Sequence, residues 1–103
     1  MVELFFGRSI PGLGEVTDQQ WTRFETQVVV PALPNGFTVF DASGAWMSPA
    51  GHATVHEPTK VLLVSLPETQ GALAPIRQIR DAYQKRFRQQ LVGMSVAPAC
   101  GEF

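Results

Sequence analysis

Four charged residues interrupt stretches that are otherwise apolar. Arg8 follows ELFFG, Asp41 follows FTVF, and Glu57 and Lys60 flank Pro58-Thr59 just before VLLVSLP. Charges beside apolar strands are costly unless they find partners. Two kinds of chemistry fit. One is a polar pocket at one end of a sheet, where Arg8 or Lys60 holds a carboxylate and Asp41 or Glu57 serves as acid or base. The other is a set of salt bridges tying strand ends together. Trp46 and His56, from the same part of the chain, complete the candidate pocket. Under either reading at least one close ion pair is expected among Arg8, Asp41, Glu57 and Lys60.

Other chemistry-bearing residues carry less. His52 and His56 are four apart, which on a strand separates them by about 13 Å at the usual ~3.3 Å rise, too far to share a metal. No metal or cofactor is expected, although either histidine could carry a proton near neutral pH. Gly12-Leu13-Gly14 sits where a phosphate loop could sit, but neither GxGxxG nor GK[ST] is present and prolines intervene. Cys100 has no assignable catalytic partner and cannot form an internal disulfide, so the fold must rest on packing. Arg77, Arg80, Lys85, Arg86 and Arg88 make one helix basic, yet no aromatics interleave on its exposed side, and a solvated face is the better reading.

The elements that must position these residues follow from periodicity. Lys60–Pro67 reads as a buried central strand, because five of the six residues from Val61 to Leu66 are large and apolar. Val2–Gly7 is a first strand and Ser9–Glu15 a loop. A helix begins at Thr17, whose spacing to Gln20 is that of a capping box, with Trp21, Phe24 and Val28 on one face. Pro31, Pro34 and Asn35-Gly36 end it. Phe37–Asp41 and Ala45–Met47 form a strand with a bulge or kink at Ala42–Gly44. Ala53–Glu57 returns antiparallel across the turn Ser48–Gly51, with Pro58 interrupting the pairing. A second helix carries Leu73, Ile76, Ile79, Tyr83 and Phe87 on one stripe, and Pro75 belongs near its first turn or at a kink. Leu91–Val96 closes as a short strand before the tail Pro98–Phe103.

Strand, helix, long bent hairpin, helix, strand is the order of an α+β, ferredoxin-like βαββαβ domain spanning residues 1–103. Its four-stranded antiparallel sheet would carry both helices on one face. Trp21, Phe24, Val28, Leu63, Ile76, Ile79 and Tyr83 are expected to form the helix–sheet core. Tyr83 is the one whose hydroxyl needs a partner.

A chain of 103 residues with eight Lys and Arg against nine Asp and Glu has a net charge of −1, which offers no field for steering nucleic acid. No apolar run approaches the ~20 residues of a membrane span. As given, the chain reads as soluble. It would be exported or periplasmic if a leader has been removed and cytoplasmic otherwise.

ELFFGR, FTVFDASGAW, HEPTKVLLV, AYQKRF and a terminal PAC occur in an order that resembles a bacterial family of domains of unknown function. Many of its members look like exported proteins or lipoproteins, and this chain lacks their leader. The resemblance implies no reaction, cofactor or substrate. Two functions therefore compete. The first is a non-catalytic module that binds a small molecule or a protein through the sheet face its helices leave uncovered. The second is a small cofactor-independent enzyme of the dimeric α+β-barrel type, acting by proton transfer on a carbonyl or aromatic substrate. Both expect a homodimer, because the uncovered face would carry apolar side chains from Val61–Leu66, Leu4–Phe6 and Phe37–Phe40. The rival is a monomer whose Ser48–Gly51 hairpin or Pro98–Phe103 tail folds over that face.

Overall fold

The computed structural model describes residues 1–67 and 69–98. Strands β1 (Val2–Gly7), β2 (Thr38–Met47), β3 (Thr54–Val64) and β4 (Gly93–Val96) form one antiparallel sheet in the order β2-β3-β1-β4. A two-residue ribbon, Ser9–Ile10 with Gly14–Glu15, leads from β1 into the first helix.

Helix α1 (Asp18–Phe24) starts at the expected place. The Thr17 hydroxyl accepts from the Gln20 amide at 3.1 Å while the Gln20 side chain accepts from the Thr17 amide at 2.9 Å. This reciprocal cap satisfies two N–H groups that a helix end otherwise leaves unpaired. Helix α1 then runs on through a π-helical turn over Glu25–Val29 into a last turn, Val30–Ala32. Pro31 stands inside that last turn and does not end the helix. In regular α geometry its ring would crowd the carbonyl of Gln27, and the wide turn lies at that point. The extra residue per turn also rotates the buried stripe. After Trp21 and Phe24 it continues through Val29 and Leu33, while the expected Val28 is only half-buried.

Helix α2 (Ala74–Phe87) follows a short 3-10 turn, Gln70–Leu73, and Pro75 occupies its first turn, where a missing N–H costs nothing. It buries Ile76, Ile79, Tyr83 and Phe87. Phe6 of β1 meets Trp21 and Phe24 of α1 at 5.1 and 6.1 Å between ring centroids, and Tyr83 of α2 at 4.8 Å, so both helices lie on Phe6's side of the sheet. Edge-to-face contacts of this kind add to the area they bury. The core comprises these rings with Val2, Leu4, Leu62 and Val64 from the strands, closed at its margins by Val16 and Val92.

Three expectations are corrected. Leu63 is not a core residue. Antiparallel pairing sets Leu4 opposite Leu62, so Leu62 shares Leu4's buried face and Leu63, paired with Glu3 and Thr38, points the other way. The apolar run reads the same on both faces, so its parity is decided by β1. The bulge at Ala42–Gly44 and the interruption at Pro58 are also absent. Pairing between β2 and β3 runs in a single register from Thr38↔Leu63 to Met47↔Thr54 and includes Ser43↔Pro58. Pro58 fits because β1 ends beside it, and its carbonyl still accepts from the Arg8 amide at 2.9 Å. The tail beyond Pro98, including Cys100 and its proposed role in covering the sheet, lies outside the described residues.

Candidate functional site

Alternation along the strands divides the six candidate residues. Lys60 lies opposite Phe6 on one side and Asp41 on the other, so both share the helix-bearing face, with Arg8 at the end of β1 beside them. His56, paired with Ala45, lies farther out along the hairpin and is exposed. Glu57 and Trp46 belong to the opposite face, where Trp46 is paired with Val55 and is 49 % exposed. The expected single pocket is therefore not assembled.

Three of the six candidates do meet, as an ion-pair cluster. Lys60 Nζ is 2.5 Å from Asp41 Oδ1, and Arg8 is 4.0 Å from the same oxygen. Arg8 is held elsewhere as well. Its Nε donates to the Val16 carbonyl at 2.9 Å and its Nη2 to Asp18 Oδ1 at 2.8 Å, which pins the ribbon to the start of α1. The side chains of Arg8 and Lys60 are only 13 % exposed, whereas Asp41 is 73 % exposed. Each cationic stem is packed and its head reaches out to a carboxylate in water, the arrangement that spares long basic side chains a burial cost. The hydrogen bond from Lys60, with smaller help from the charges of Lys60 and Arg8, holds the Asp41 carboxyl below its ordinary value. A carboxylate so committed is a poor proton donor and a weakened base at neutral pH. Asp18, the partner that sequence reasoning missed, was signalled by its place in the first turn after the Thr17 cap.

Beside the cluster, Tyr83 is fully buried and its hydroxyl donates to the Gly7 carbonyl at 2.6 Å. This supplies the partner its hydroxyl needed. Burial pushes its pKa well above the usual tyrosine value. Gly7 matters for a second reason: a Cβ at that position would fall on the Glu57 carboxylate, which lies across the strand on the far face.

That far face holds the second candidate region. Along the sheet, Gly93, Phe5, Val61 and Phe40 form one row of paired positions. Phe5 is 39 % and Phe40 45 % exposed, while Val61 between them is 4 % exposed. A Cβ at Gly93 would meet the Phe5 side chain at 3.3 Å, so the absence of a side chain there lets the ring lie flat toward the edge. Leu63 and Thr38 form the next row on one side, and Val55 with Trp46 forms a second apolar pair farther along the hairpin, beyond Thr59–Ala42 and Glu57–Gly44.

Surface hollows lie apart from the ion-pair cluster. One of about 480 Å³ is lined by Val2, Leu66, Pro67, Leu73 and Val96 at the end of the sheet. Another, of about 490 Å³, lies beside Phe37, Thr38 and Leu63. A third, of about 420 Å³, is a groove between the two helices into which Arg23, Arg86 and Arg88 face. Among the described residues no three His, Cys, Asp or Glu side chains converge as a metal site would require, and no helix is long and apolar enough to cross a membrane.

No curated protein and no solved structure matches the chain. A family model does match, over residues 1–103, and by it the chain belongs to the proteins of unknown function grouped as DUF3574.

Proposed function

We propose that the protein is a non-catalytic binding module that uses the sheet face opposite its helices. Two copies would meet through that face and enclose a small-molecule ligand between the sheets. The observation that carries this reading is the row Phe5–Val61–Phe40, with Trp46 beyond it. These large apolar side chains stand on a face that neither helix covers. A solvated antiparallel sheet face usually carries polar residues, and along the row Phe5–Val61–Phe40 this one does not. A two-fold contact would bury the patch against itself, and a net charge of −1 offers little repulsion between copies. Glu3 would border the row on one side, and Thr59 and Glu57 lie between it and Trp46 on the other.

The topology supports the same reading. Counted without the small ribbon, the strand order β2-β3-β1-β4 with a helix after β1 and another after β3 supports the reading as a ferredoxin-like domain. In that arrangement one face is open by construction. The enzymatic alternative is weaker, because Asp41, the carboxylate with the most defined environment, is tied to Lys60 on the wrong face.

Tryptophan quenching tests the proposal, since Trp21 is 3 % exposed and Trp46 is 49 % exposed. In a dimer closed over the open face, the fraction quenched by acrylamide should fall as protein concentration rises from nanomolar to tens of micromolar. A quenchable fraction that stays constant over that range, with Trp46 accessible throughout, would reject the closed face.

A further inference from the structure

The groove between the helices has a different character from the sheet face and does not depend on it. Arg23 comes from α1, Arg86 from the last turn of α2 and Arg88 from its cap, and Gln20 and Gln27 lie between them. The floor is apolar, made of Ile10, Leu13 and Phe87. Leu13, at the tip of the ribbon, is 62 % exposed and so open to a ligand in the groove.

Charge is the deciding feature. Among the described residues no acidic residue lines the groove, and none of its three arginines lies within ion-pair distance of a carboxylate. Arg86 is positioned by neutral partners only. It donates to the Gln27 side chain at 3.2 Å, and its guanidinium lies 5.5 Å above the Phe24 ring. By contrast, Arg8 and Lys60 each have a carboxylate and Arg80 is spent on the Val92 carbonyl. The carboxyl end of α2 contributes about half a negative charge to this region, which three full positive charges outweigh. Like charges gathered around one concavity repel, and an anion placed among them relieves that repulsion. Guanidinium groups also match the planar geometry of a carboxylate.

We propose that this groove binds an amphiphilic organic carboxylate, with the head group held by Arg23, Arg86 and Arg88 and an aliphatic body lying on Leu13, Ile10 and Phe87. Its volume of about 420 Å³ falls within the range of small-molecule sites.

The test is a titration of the full chain with sodium octanoate, followed by NMR of the arginine side-chain N–H and backbone amide groups. Saturable shifts should centre on Arg23, Arg86, Arg88 and Leu13. Octanol should not produce them, and acetate should bind more weakly by about tenfold or more because it lacks the apolar body. The double variant Arg23→Gln/Arg86→Gln should weaken octanoate by about tenfold or more, and its spectrum reports at once that the fold is kept. Leu13→Ser should weaken octanoate but leave acetate unchanged. Shifts that never saturate, that centre on the sheet face, or that persist in the double variant would overturn the proposal.

Discussion

Leu62 and Leu63 are neighbours in one strand and identical in chemistry, yet they live in different surroundings. Leu62 is fully buried in the helix–sheet core, whereas Leu63 faces away from it and is half-buried. The same division holds in β1, where Leu4 and Phe6 are fully buried and Phe5 is 39 % exposed. In β1 and β3, the two central strands, Val2, Leu4, Phe6, Leu62 and Val64 on the helix-bearing face are buried by the fold of one chain, whereas Met47, Met94 and Val96 on the outer strands stay exposed. On the open face Val61 is buried but Phe5, Phe40 and Trp46 are not, and that is the reason to look for their function outside the monomer.

The largest expected effect sets these faces directly against each other. Leu62→Ala should cost about 2–5 kcal/mol in denaturant unfolding, since it opens a cavity in packed surroundings. Leu63→Ala, measured at high dilution, should cost less than about 1.5 kcal/mol. Equal losses would erase the distinction between the faces. Tyr83→Phe comes next, at about 1 kcal/mol, because it removes the donor to the half-buried Gly7 carbonyl. A loss within experimental error would mean that water replaces the hydroxyl there.

How much of this was legible beforehand depended on whether a signal was local. The cap at Thr17, the stripe of α2 and the place of Pro75 are written in short spacings, and all appear as expected. Strand parity was not legible, because Val61–Val64 is apolar at every position and only pairing with Leu4 chooses a face. The shift from Val28 to Val29 arises from a π-helical turn, which a 3.6-residue period cannot foresee. The candidate site fared likewise. An ion pair among the four charges could be expected from burial cost alone, and Lys60 with Asp41 provides it. That Glu57 and Trp46 fall on the other face depends on an unbroken register, against the bulge at residues 42–44 and the interruption at Pro58 that the sequence signals. The inter-helix groove needed α1 and α2 to be placed side by side before Arg23 could be seen beside Arg86.

A smaller effect sharpens the comparison from the open side. Phe40→Ser should change stability by no more than about 0.5 kcal/mol at nanomolar concentration, where each monomer stands alone. At higher concentration the same substitution should lower the apparent melting temperature relative to the parent, because association stabilises only the parent. A large loss at high dilution would show that Phe40 serves the monomer.

The smallest effect concerns Asp41. Its carboxyl is held below the ordinary value of 3.8, chiefly by the hydrogen bond from Lys60. A carboxylate lowered on folding contributes stability that is complete above its unfolded value and fades as pH falls through the folded one. Asp41→Asn should therefore leave a shallower acid limb below about pH 4 and little change at pH 7, where the exposed pair is screened. An unchanged acid limb would show that the bridge contributes nothing to folding.

The measurement closest to the central claim is light scattering from tens of micromolar down to nanomolar, on the parent chain and on Phe40→Ser/Trp46→Ser. The account predicts a parent mass of two chains at the upper end, falling toward one on dilution, and a double variant that stays at one chain while keeping the parent's circular dichroism. A parent that weighs one chain at every concentration would contradict it. So would a dimer that survives both substitutions, since its contact would lie elsewhere, such as along the unpaired edge of β2.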